Sequence, residues 1–146
     1  MKDLHSKIIA VQAIGAAVLA ADNTPAAIDL QGYNSAEIVL AIGIGGITFS
    51  GTNKIEFKLT HSDDDSTYDA VEVDDILGAD DVGTGGIVKA LVAAHAAPAV
   101  YRFGYKGGRR HLKLLADFSG THGTGTPIAA IVLKGNGYNR PEADQA

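Results

Sequence analysis

Cysteine and tryptophan are absent from the 146 residues, methionine occurs once and proline four times. Without cysteine the chain has no disulfide, no thiolate metal ligand, no iron–sulfur cluster and no cysteine nucleophile. Aromatic residues make up only 6%, which disfavours a sugar-binding module or a paired-carboxylate glycosidase, since both grip sugars in aromatic-lined clefts. Charge is also sparse, at 20% of residues, and acids outnumber Lys and Arg 17 to 12. The resulting net charge of −5 and pI near 5.4 lack the basic field of a general nucleic-acid binder. What is abundant is apolar content, at 46% with a mean hydropathy of +0.09, enough to exclude disorder. Glycine contributes 18 residues, well above the usual ~7%. The length suits one domain.

The longest hydrophobic run, from Ile8 to Ala20, follows Lys2 and Lys7 and has the look of a signal-peptide core. It is too short to span a bilayer, and Gln12, Gly15 and the nearby Asp3 interrupt the pattern. A buried strand or strand pair is the favoured reading, with no membrane association.

Alternation is clearest in Lys54–Thr60, where Ile55, Phe57 and Leu59 share one face and Glu56, Lys58 and Thr60 the other. The turn-forming run His61–Thr67 follows, and alternation resumes from Tyr68 to Val73, which predicts a hairpin. Further strands are expected over Ala36–Ile42, Ile87–Ala93, Val100–Tyr105, His111–Phe118 and Ile128–Lys134, separated mostly by Gly-rich clusters. Asp74–Gly78 reads as one helical turn capped by Asp and stopped by Gly. Ala90–Ala97 could be helical by propensity but is read as strand. The expectation is an all-β single domain, an antiparallel β-sandwich or β-barrel over residues 8–134 with at most one or two short helical turns. Residues 1–7 and 135–146 are polar, aperiodic arms that should order only against something else.

Charge is segregated along the chain. Asp63 to Asp81 holds nine acids and no Lys or Arg, whereas Val82 to Ala116 holds Lys89, Arg102, Lys106, Arg109, Arg110 and Lys113 and no acid. These patches either neutralise each other within one subunit or meet between copies. Catalytic patterns are missing: Ser50 and Ser119 do not sit in G-x-S-x-G, and Gly120–Pro127 lacks the Lys and helix of a phosphate loop. Asp63, Asp64, Asp65 and Asp69 offer oxygen ligands, yet the EF-hand spacing fails, so a solvated turn is favoured over a calcium site. His5, His61, His95, His111 and His122 are too dispersed for a zinc motif and read as surface or strand residues. In Tyr101–His111 aromatic and basic residues interleave, which invites a stacking-plus-phosphate reading. Strand alternation instead puts Tyr101, Phe103 and Tyr105 in the core. No obvious catalytic constellation is present, and no cofactor or metal is expected.

Several runs, in order along most of the chain, carry a likeness: Met1–His5, Asp29–Ser35 leading into a strand, Ser62–Asp64 before Tyr68, and Tyr101–Arg110 before an alternating strand. With these the sequence resembles the capsid decoration, or cement, proteins of tailed bacteriophages, small virion proteins encoded among head genes. Gly107–His111 departs from the Thr-Lys-Arg-Tyr-like run expected there. The resemblance implies a non-enzymatic β-rich subunit on the outer surface of the capsid, reinforcing contacts between major capsid proteins. Its partners would be the major capsid protein and neighbouring copies of itself, without specific nucleic acid. The basic residues Arg102, Lys106, Arg109, Arg110 and Lys113 are the expected contacts to an acidic partner surface. The arms add Met1, Lys2, Asp3, Leu4, His5, Tyr138 and Arg140. Rival readings are a tail or head-to-tail joining subunit, assembling as a ring or tube, and a small hydrolase or calcium-dependent sugar-binding module built on Asp63–Asp69.

Overall fold

A computed structural model describes residues 3–145. Ten strands form in chain order: β1 (Ile8–Leu19), β2 (Ile28–Asp29), β3 (Tyr33–Ile42), β4 (Lys54–Ser62), β5 (Asp69–Ala70), β6 (Ile76–Leu77), β7 (Ile87–Leu91), β8 (Ala99–Tyr105), β9 (His111–Ser119) and β10 (Thr126–Gly137). They build two antiparallel sheets. The first has the order β1-β10-β3-β8-β6, and the second β2-β9-β4-β5, with β7 also pairing β4. The fold is an all-β sandwich, about 50% strand and 4% helix.

Alternation explains the packing. Ile55, Phe57 and Leu59 of β4 and Leu112, Leu114 and Ala116 of β9 are each 1% exposed or less. They face Ile38, Leu40 and Ile42 of β3 and Ile128, Ala130 and Val132 of β10 in one continuous core. Phe103 and Tyr105 of β8 join it, Tyr101 packs partly buried against it, and Arg102 between them is exposed, as strand geometry requires.

The first hydrophobic run is indeed a strand, β1, at the edge of the first sheet. Its register on β10 shifts between Gln12 and Ile14 and again between Ile14 and Ala17. Such bulges bring the consecutive residues Ala13 and Ile14 both into the core. No helix among the described residues is long and apolar enough to cross a membrane.

Three local expectations shift. The turn expected at Asp74–Gly78 lies at Val73–Asp75 as a single 3-10 turn, where the Glu72 N–H donates to the Asp75 carboxylate at 2.9 Å. Ile76 and Leu77 then pair with β8 because that edge is otherwise open. The strand at Ile87 stops at Leu91, and the Ala-rich stretch after it is a loop pinned by His95, whose Nδ1 donates to the Gly43 carbonyl at 2.8 Å. Finally, β10 continues to Gly137 by pairing backbone to backbone with Tyr33 and Ser35. Gly86 is among the glycines required by space: it has φ +81, and a Cβ there would collide with the carbonyl of Leu59, whose N–H donates to the Gly86 oxygen at 2.8 Å.

The terminal arms order against each other. The side chain of Gln145 reaches the outer edge of β1, where Oε1 accepts from the Ala10 N–H at 2.9 Å and Nε2 donates to the Ala10 carbonyl at 2.8 Å. Glu142 donates its N–H to the Ser6 carbonyl and accepts from the Tyr33 hydroxyl, and His5 meets Asp144 at 2.9 Å. The tail thereby occupies part of an edge that would otherwise offer unpaired backbone groups.

Candidate functional site

The acidic turn after β4 is held by its own backbone. Asp64 accepts from the Ser66 and Thr67 N–H groups and from the Ser62 hydroxyl, each at 2.9 Å, which brings its carboxyl down to about 2. Its Oδ1 is committed to shaping the turn. Tyr68 donates to Asp65; partial burial and this carboxylate push the phenol up to about 12. Among the described residues no group of three or more His, Asp or Glu is placed to hold a metal ion.

Three of the five histidines are buried: His61, His111 and His122. His122 closes the loop before β10, with its ring edge-on to Phe118 and Nε2 donating to the Ser119 carbonyl at 2.8 Å. That connection is therefore pinned. His61 lies between the sheets with Nδ1 2.9 Å from the Tyr105 hydroxyl, which also accepts the Arg109 N–H at 3.0 Å. The Tyr105 hydroxyl thus links the buried ring to the backbone of the connection after β8. Burial lowers the affinity of this ring for a second proton.

A groove of about 570 Å³ opens above this pair at one end of the sandwich. Its walls are Leu30–Ala36, Asp63, Tyr105, Lys106, Gly108–Arg110 and Tyr138. Four of the expected contact residues meet here, Lys106, Arg109 and Arg110 from the connection after β8 and Tyr138 from the C-terminal arm. Arg109 reaches Asp69 at 2.6 Å and Asp63 at 4.0 Å. Arg110 grips Asp29 through Nε at 2.9 Å and Nη2 at 2.7 Å, holding that carboxyl well below the usual carboxylate range. At Arg109 the acidic and basic segments thus neutralise each other within one subunit. The other expected contacts lie elsewhere. Arg102 is on the outer face of the first sheet, 3.4 Å from Glu37. Lys113 is on the outer face of the second, 3.9 Å above the Tyr68 ring. Arg140 donates to Asn136, Asp3 accepts from Ser6, and Leu4 is exposed. Met1 and Lys2 lie outside the described residues. Lys106, Lys113 and Arg140 have no carboxylate partner among the described residues, whereas Arg102, Arg109 and Arg110 do.

A second surface was not anticipated. The outward side chains of the first sheet include Val18 of β1, Pro127, Ala129, Ile131 and Leu133 of β10, Val39 and Ala41 of β3, and Val100 of β8. Val18 is 62% exposed and Val100 66%. Between them lies a shallow depression of about 570 Å³ with Ala16, Ala41, Gly43, Pro98 and Ala129 among its lining. Glu37 and Arg102 are the charges on this face, together with the polar Gln12. A contiguous apolar patch of this kind is suited to contact with another molecule. The signal was present in the sequence: β3 and β10 are apolar at both parities, unlike β4, as in strands buried on both faces.

No protein family matches the sequence, and neither a curated protein nor a solved structure matches it.

Proposed function

We propose that this chain is a non-enzymatic structural subunit of a tailed-phage virion, a decoration or cement protein on the outer surface of the capsid that binds the major capsid protein and neighbouring copies of itself. The observation that carries the structural role is the apolar outer face of the first sheet, which water alone leaves uncovered. The likeness of Met1–His5, Asp29–Ser35 and Tyr101–Arg110 to decoration proteins supports the phage-head assignment. A rigid sandwich with its arms tied to β1 suits a subunit repeated over a lattice, where modest contacts accumulate through high effective concentration. The end groove is the second contact surface, and there Lys106 is the cation with no carboxylate partner among the described residues to give up on docking.

Co-sedimentation tests this. Purified protein mixed with undecorated heads should pellet with them at a stoichiometry set by the shell lattice. Absence of binding, or turnover of a substrate by the isolated protein, would overturn the reading, and retention only at the tail vertex would favour a joining subunit. Lys106→Glu should weaken docking and flatten its salt dependence.

A further inference from the structure

We infer that the outer face of the first sheet is the contact between two copies of this chain, packed face to face about a two-fold axis. The inference rests on the preceding reading only in taking that face to be covered by protein, and names what covers it.

Charge separates a second copy from a differently charged partner. The chain carries a net −5, so contact between copies through most of its surface would oppose like charge. Among the described residues the acid and base on this face are Glu37 and Arg102, which already lie 3.4 Å apart and cancel. A two-fold rotation about an axis near this pair sets each Arg102 against the other copy's Glu37, an arrangement complementary to itself.

Shape points the same way. Val18 and Val100 stand out as the most exposed apolar side chains of the face, and they flank a depression floored by the small residues Ala41 and Ala129. Projection and recess sit side by side on one surface, so a rotated copy can place its Val100 in the recess and receive the other's in return. Four strands spaced ~4.8 Å apart over about 30 Å of length give roughly 500 Å² of face per copy, or about 1,000 Å² in total. That meets the ~1,000 Å² a biological interface should clear and falls short of the ~1,200 Å² of stable ones, as for a weak dimer. Growth through the β1 edge instead is hindered where Gln145 already holds both backbone groups of Ala10.

Sedimentation equilibrium of the full chain over the micromolar range tests the inference. The expected mass is twice the 15.0 kDa of one chain. Val100→Glu should return the single-chain mass while circular dichroism keeps the strand signal, and Leu115→Glu on the opposite face, across from Lys58, should remain a dimer. A wild-type protein of single-chain mass throughout, a trimer, or a Val100→Glu variant that still dimerises would each overturn the two-fold contact. A monomer that nevertheless pellets with undecorated heads would leave the decoration role standing and assign this face to the capsid.

Discussion

Strand β4 of the second sheet turns Lys54, Glu56, Lys58 and Thr60 to water, and its neighbour β9 adds Lys113 and Asp117. Lys54 meets Glu56 at 2.5 Å, and Lys58 pairs with Asp117, so this outer face is laced with compensated charge. Strand β10 of the first sheet instead turns out Pro127, Ala129, Ile131 and Leu133. Inside, both sheets feed apolar side chains into one continuous core. The contrast is therefore unrelated to holding the sandwich together. Burial of apolar surface yields about 25 cal/mol per Å², and the first sheet leaves that gain unclaimed in the isolated chain.

The most severe way to break the comparison is to attack the interior the two faces share. Phe57→Ala removes a fully buried ring and should cost about 3–5 kcal/mol in urea unfolding, damaging both faces at once. Gly86→Ala, at φ +81 against the Leu59 carbonyl, should cost roughly 1–3 kcal/mol in the same measurement and act on the second sheet through β4.

A pH titration of stability reads the interior without altering its shape. Because burial lowers the proton affinity of His61, against smaller raising influences such as Asp75, the unfolded chain takes up more protons below its ordinary value of 6.5. Stability should consequently fall as pH drops below 6.5 toward the lowered value. Subtracting the profile of His61→Gln should remove that component even though the variant is less stable overall.

Changes confined to the outer faces should barely move unfolding. Lys58→Met breaks a partly exposed ion pair on the second sheet and should cost about 0–1 kcal/mol. Smallest of all, Gln145→Ala frees the β1 edge; it should change global stability by only about 0.5 kcal/mol but speed hydrogen exchange at the Ala10 amide.

Much of the interior was legible because β4 and β9 obey a period of two. Ile55, Phe57 and Leu59 announce their face by contrast with Glu56, Lys58 and Thr60. In β10 the contrast vanishes, since Ile128, Ala129, Ala130 and Ile131 look alike at both parities, and only the register on β3 and β1 tells inside from outside. The site was harder. Arg109 and Asp69 are forty residues apart in sequence, so their pairing depends on β5 and the connection after β8 converging at one end of the sandwich. Likewise, nothing local in the polar tail shows that Gln145 will reach Ala10, 135 residues away. His61, expected in the turn after Thr60, instead continues β4 with the parity of Leu59 and is buried, and its meeting with Tyr105, 44 residues on, depends on the two sheets facing each other.

The account stands on the first sheet's outer face being covered when the chain does its work. A chain without cysteine permits one clean measurement, maleimide labelling of Val100→Cys and of Thr60→Cys, the latter on the charged face, in protein bound to heads. The account predicts protection at position 100 and ready labelling at position 60, whereas equal labelling at both would contradict it.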